Sequence, residues 1–281
     1  MSRRSEVERR MHTMGEISSI MGSMKTLALL ETRKLTRFRA TQRRVVTTIE
    51  AAAADLLRVY PVMPPQPGGA RHVFVLLGSE RGFCGDYNEA LLHALDAHLA
   101  ETGEPSPLLI GVGRKLCVKL EDDPRVVGLL DGASAAEEVQ AVLTGLIDAI
   151  SALQEQHGAL FLSVVHHRED HDDVQIKLLL PPFQHPSEEA RRFPDPPLLN
   201  LSPEAFFAEL LDHYLFAALY EMFYASLTAE NHRRVQHLEG AIRRLDEETD
   251  RLALKRNKLR QEEITEEIEV ILLSVEATTP R

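Results

Sequence analysis

The chain has 281 residues, 44% of them hydrophobic and 27% charged, with a net charge of -11. That length suits more than one domain, and the balance is that of an ordinary globular protein. The acidic charge argues against general nucleic-acid binding, two cysteines exclude a disulfide scaffold and fit a reducing compartment, and the absence of any long apolar run excludes a membrane span.

Proline divides the chain. Fourteen of the 15 prolines fall between Pro61 and Pro203, and the last is Pro280. Because proline breaks helix interiors, residues 1–60 and 204–279 are left free to be helical. Charge follows the same boundaries: residues 1–60 carry net +6, 61–203 net -11 and 204–281 net -6. Helices of opposite sign attract when side by side.

In the N-terminal stretch Val7, Met11, Met14, Ile17, Met21, Met24, Ala28 and Leu35 follow three- and four-residue steps. That spacing predicts one apolar face of a long helix, in which adaptable methionines fill a helix–helix seam. Arginines interleaved with Glu6, Glu8 and Glu16 fit neither a secretory signal nor an acid-poor transit peptide. Pro61–Gly69 reads as a linker. Beyond it comes an alternation of strand and helix: strands at 72–77, 108–112, 160–166 and 174–180, helices at 89–99, 114–120 and 135–156. This predicts a mostly parallel sheet with helices on both faces. The proline-rich stretch 181–203 is expected to run irregularly. From Ser202, a good N-cap before Pro203, a second long helix starts with a wide apolar face. The face narrows to Leu238, Leu245, Leu252 and Leu259, seven residues apart, which is a coiled-coil seam, and Ile264, Ile268, Ile271 and Val275 extend it.

Three motifs invite chemistry. The glycine-rich loop Gly78–Asn88 follows a strand and precedes a helix, the place where α/β domains hold phosphate, yet its spacing matches neither dinucleotide nor P-loop patterns. It reads as a structural turn, with Cys84 an ordinary thiol. The run His166–Asp173 is rich in potential ligands without a diagnostic metal spacing, and reads as a polar hairpin tip. Asn257–Ile268 is densely polar for a seam. There Arg260 and Gln261 can direct several hydrogen bonds outward, and Arg suits bidentate capture of a carboxylate; a solvated helix face is the simpler reading. No catalytic triad, HExxH or paired CxxC is present, and no cofactor or metal is expected.

The C-terminal motif resembles the NKxRQxxITxEL signature of the gamma subunits of rotary F-type ATP synthases. Ser79–Asn88 resembles that family's SDRGLCGGLN loop, departing at Glu80, Phe83, Asp86 and Tyr87. Ile20–Lys34 resembles ITKAMKMVAAAKLRR, and Ser226–Glu230 with Arg234 resembles SLASE and the arginine after it. The departures mark a divergent member, of the kind an alternate operon carries. The resemblance implies an α/β fold of a particular plan: an antiparallel coiled coil of helices 1–60 and 204–281, with a Rossmann-like domain, 61–203, inserted between them. It also implies a non-catalytic rotor that carries torque between a membrane c-ring and a catalytic ring of alpha and beta subunits, with an epsilon subunit as a further partner, on the cytoplasmic side of a bacterial inner membrane. On the same basis Arg260, Gln261 and Thr265, with Met24 and Lys25, would contact beta subunits, Tyr214 would lie near the c-ring foot, and the apolar tip Ile271–Val275 would sit in an apical bearing. Two rival readings are a coiled-coil scaffold unrelated to ATPases and a small nucleotide-binding α/β enzyme.

Overall fold

The computed structural model describes residues 3–60, 70–104, 106–168, 173–183 and 198–278, with side chains through 272. Two helices bracket the chain: α1, Arg3–Val59, and α5, Pro203–Thr278. Between them lie β1 (Arg71–Leu77), α2 (Tyr87–Thr102), β2 (Leu108–Val112), α3 (Arg114–Leu120), β3 (Val126–Leu130), a 3-10 turn (Ala136–Glu138), α4 (Val139–His157), β4 (Leu160–His167) and β5 (Val174–Leu180). The expected linker 61–69 and most of the stretch 181–203 fall outside the described residues. The chain divides into two compact units, Ala28–Arg234 and Met1–Leu27 with Val235–Arg281, so both long helices run through the division.

In the larger unit the five strands form one sheet in the order β3-β2-β1-β4-β5. Parallel pairing joins the first four, and β5 closes the edge antiparallel to β4. Side chains on β1 alternate between two cores, as the two-residue period of a strand requires. Val73, Val75 and Leu77 pack with α4, with Leu35 and Val46 of α1, and with Tyr214–Leu227 of α5. Phe74 and Leu76 pack with Leu91 and Leu95 of α2 and Leu116 and Leu120 of α3. Each such side chain, fully buried, contributes about 1.5–3 kcal/mol. The result is a sheet covered on both faces, which explains why its central strands read as continuous apolar runs.

Two elements differ from expectation. Strand β3, VVGLL, has no counterpart in the sequence reading; it is a short edge strand carrying a glycine, and its burial alternates rather than running continuously. The helix expected from 135 starts instead as a 3-10 turn. There the Ser134 and Ala136 N–H groups donate to carboxylates of Glu138 and Glu31 at 2.6 and 2.7 Å, which satisfies amides a regular helix start leaves open. Helix α5 begins as expected, with the Ser202 hydroxyl accepting the Ala205 N–H at 3.2 Å.

In the smaller unit the two helices run in opposite directions past each other. Arg4 pairs with Glu263 at 3.1 Å, Arg10 with Glu248 at 3.4 Å and Lys25 with Glu239 at 4.0 Å, so one index rises as the other falls. Covered positions on α1 step by four and three residues: Val7, Met11, Met14, Ser18, Met21, Lys25 and Ala28, continuing at Thr32, Leu35, Arg39, Gln42 and Val46. On α5 they are Leu238, Ile242, Leu245, Thr249, Leu252, Arg256 and Leu259. The mean step is about 3.5 residues, shorter than the ideal turn. Ile17, expected on the buried stripe, is 42% exposed, and Ser18 takes its place. Ile264, Ile268 and Ile271 are also exposed rather than seamed, beyond the level at which Arg4 of α1 pairs with Glu263. The side chain of Val275 lies outside the described residues.

Candidate functional site

The glycine loop and the Ser226–Arg234 segment of α5 form one buried polar node. Gly78 ends β1 against the Leu116 side chain, where a Cβ would come within 2.3 Å. Asn88 then staples the loop: its carbonyl accepts the Ser79 N–H, and its amide donates to the Ser79 hydroxyl, both at 2.9 Å. Glu80 turns inward, and its carboxylate accepts the N–H groups of Arg114 and Gly132 at 2.9 and 2.7 Å. Phe83 and Gly85, at φ 64° and 62°, make the left-handed bends that carry the chain into α2.

Helix α5 supplies the other half of the node. Glu230 and Arg234 are 3% and 4% exposed and form an ion pair one turn apart. Arg234 also donates to the Gly82 carbonyl at 3.1 Å, to Asn231 Oδ1 at 2.8 Å and to Cys84 Sγ at 3.3 Å. Glu230 accepts the Arg81 N–H at 3.3 Å. Burial raises the Glu230 carboxyl, opposed by the Arg234 charge. Tyr87, fully buried, donates to the Ser226 carbonyl at 2.9 Å and stacks on His167 at 3.9 Å between ring centroids. The Ser226 hydroxyl in turn donates to the Leu77 carbonyl at 3.0 Å.

This arrangement bears on the nucleotide reading. In an open parallel sheet a ligand enters at the carboxyl ends of the strands, where the strand order reverses. Here β1 lies between β2 and β4, and the node occupies the space beyond the ends of β1 and β4. Tyr87, His167 and Ser226 pack there, and in the glycine loop Asn88 takes the Ser79 N–H and Glu230 the Arg81 N–H. Cys84 is buried, and its thiol is pushed up to about 12 by desolvation, with the Glu230 carboxylate adding to the rise. A thiol so poorly ionised is a weak nucleophile. Of the His166–Asp173 run, His166 and His167 are buried strand residues and 169–172 lie outside the described residues. No group of side chains suited to a metal ion occurs among the described residues.

The residues expected to meet partners occupy two stations in the smaller unit. Arg260, Gln261 and Thr265 are exposed on α5. Gln261 and Thr265, four residues apart, share a face, and the Thr265 hydroxyl donates to the Gln261 carbonyl at 2.9 Å. Met24 and Lys25 are half-buried on α1 opposite Glu239, more than 20 residues back along α5. At about 1.5 Å per residue that separates the stations by roughly 30 Å. Tyr214 is 4% exposed in the larger unit's core, its ring 4.6 Å from that of Phe183, and burial pushes its hydroxyl up to about 12. The Glu230–Arg234 pair carried no role in the sequence reading. Its signal is two opposite charges at helical spacing beside the buried polar residues Ser226, Thr228 and Asn231.

These features define a chain of two long helices, with exposed polar residues on the second, and a sheet whose usual ligand seat holds side chains of the fold. A family model described as ATP synthase matches residues 3–278, and the chain belongs to that family. It is similar to the ATP synthase gamma chains of Moorella thermoacetica (23% identical, covering 99% of both chains) and Desulfitobacterium hafniense (26%, covering 95% and 96%). Its fold is similar to a chain in the Euglena gracilis mitochondrial ATP synthase, with a TM-score of 0.61 at 14% identity over 98% of this chain and 94% of that one. A chain of the Tetrahymena thermophila central stalk and c-ring matches with a TM-score of 0.56 at 15% identity, over 79% and 99%.

Proposed function

We propose that this chain is the gamma subunit of a bacterial F-type ATP synthase, the rotor of its central stalk. The full-length family match, end to end through both long helices, carries this reading. The helices wind as an antiparallel coiled coil, helix 1–60 against helix 204–281, with the α/β domain 61–203 inserted. The burial step of about 3.5 residues and the opposed ion pairs support that geometry. The subunit is non-catalytic and binds no cofactor. Its partners are the alpha and beta subunits, epsilon and the c-ring, and it attaches to the cytoplasmic side of the inner membrane through the complex. Among the described residues no helix is long and apolar enough to cross a bilayer itself.

The mechanism follows from asymmetry. To drive identical sites into different states, a rotor must interact differently with each of them, because equal affinity shifts nothing. Exposed Arg260, Gln261 and Thr265 on one helix, and Met24 and Lys25 on the other, present different chemistry as the shaft turns: directed hydrogen-bond donors at one level, and a flexible thioether beside an ammonium group at the other. The exposed residues Ile264, Ile268 and Ile271 suit an apolar sleeve.

Co-expression with the alpha and beta subunits of the same organism tests the proposal. An ATPase complex that forms only when this chain is present is expected. A stable homodimer of the chain alone, with no effect on the ring, supports the scaffold reading and overturns this one.

A further inference from the structure

We propose that the stripe Ser226–Glu230–Arg234 is a torsional latch that locks α5 to the sheet, so that twist applied to the helix turns the α/β domain with it. This rests on the rotor reading above. The three residues recur every fourth position and therefore line one face over about two turns of α5. Each is tied to a different part of the base. Ser226 donates to the last carbonyl of β1, at Leu77, and accepts from Tyr87 at the start of α2. Glu230 holds the Arg81 N–H, and Arg234 holds the Gly82 carbonyl and Cys84. Beside the stripe, Arg233 pairs with Asp86 at 2.8 Å.

Apolar packing is non-directional, so a helix held only by leucines can slip about its axis at modest cost. Hydrogen bonds to fixed backbone groups weaken steeply as their angles open, so rotation breaks these together. The position of the stripe matters as well. The chain's compact division falls between Arg234 and Val235. Twist carried down α5 from residues beyond 235 therefore reaches the larger unit at Arg234 first. A buried ion pair is an expensive way to gain stability, and resistance to rotation is what its directed geometry supplies.

The test uses the whole complex in membrane vesicles and compares ATP-driven membrane potential, read with a potential-sensitive dye, with ATP hydrolysis in the same preparation. That ratio does not depend on which ion is pumped. Glu230→Gln and Arg234→Gln each leave a buried partner uncompensated and lower Tm by on the order of 10 °C. The double variant Glu230→Leu/Arg234→Met removes both charges and every directed bond of the pair while keeping apolar bulk in their place, and recovers most of that loss. The latch predicts that the double variant still shows a several-fold lower potential-to-hydrolysis ratio, because the directed bonds are gone although the fold is restored. Tyr87→Phe, which removes a single hydroxyl, lowers the ratio with a smaller change in Tm and keeps the test decisive if the double variant folds poorly. A wild-type ratio in the refolded double variant, or in Tyr87→Phe, overturns the latch. A wild-type chain that forms no complex with the ring overturns the rotor reading itself.

Discussion

The carboxylate of Glu80 accepts the backbone N–H of Gly132 at 2.7 Å. The same oxygen accepts the Arg114 N–H, so one side chain closes the loops that follow β1, β2 and β3. Replacing it with alanine leaves two amides without their acceptor; the part-buried Gly132 N–H costs about 1–3 kcal/mol if orphaned, while the exposed Arg114 N–H can turn to water. Glu80→Ala is expected to lower Tm clearly, while Glu80→Gln, which keeps a carbonyl acceptor, loses less. Thermal unfolding of the full-length chain checks the order. Millimolar ATP is expected to leave the wild-type Tm unchanged, since the seat is already occupied.

Gly113 and Gly145 are expected to respond in opposite directions to alanine. Gly113 sits at φ 109°, and a Cβ there would meet the Gly78 carbonyl oxygen at 2.6 Å. Backbone strain alone costs about 1–3 kcal/mol, and the clash adds to it. Gly145 lies inside α4 with nothing within 4 Å of an added Cβ. Gly145→Ala therefore stabilises by about 0.5–1 kcal/mol. Denaturant midpoints of the two variants measure both signs.

His166 gives the larger unit an acid-sensitive element. Burial, the first cause, lowers its pKa from 6.5 to about 4, with Lys177, His167 and Arg168 adding to the fall and its bond to the His167 carbonyl opposing it. A base depressed on folding contributes stability that is complete above pH 6.5, where folded and unfolded chains are both neutral. That stability is lost as pH falls from 6.5 towards 4, because only the unfolded chain takes up the proton. The loss amounts to about 3 kcal/mol over that window. His166→Gln is expected to flatten this part of the stability–pH curve, as measured by urea titrations at several pH values.

Arg260 and Gln261 are exposed, and among the described residues Arg260 forms no salt bridge. Replacing both with alanine should leave the unfolding free energy within about 0.5 kcal/mol of wild type, as surface changes usually do. Under the rotor reading the same variant weakens assembly with the ring or its coupling. Normal ion-driven ATP synthesis by the variant complex would refute the role given to these two side chains.

Strongly patterned elements were legible in the sequence. Strand β2 falls on its expected residues because a buried parallel strand is apolar throughout, and glycine or proline beside β2, β5 and α3 (Pro107, Gly113 and Pro181) marks their ends. Strand β3 was not legible: five residues with a central glycine at a sheet edge carry too little pattern. The α1 stripe was read from apolar residues alone, which captured Val7, Met11 and Ala28 but placed Ile17 inside and passed over Ser18, Thr32 and Gln42. Geometry, rather than polarity, selects those positions once the helices pair at a 3.5-residue step. At the site, exposure of Arg260, Gln261 and Thr265 followed from their polarity. The Glu230–Arg234 node did not, because its meaning depends on a loop about 150 residues away in the chain.

The plugged crevice of the sheet has a thermodynamic consequence. A domain that binds a small molecule inherits its stability partly from that molecule's concentration, by mass action. Here the occupants are Tyr87, His167 and Ser226, covalently part of the fold and present at constant effective concentration. Under the rotor reading, the larger unit is expected to keep one stability whether nucleotide in the surrounding cell is abundant or exhausted.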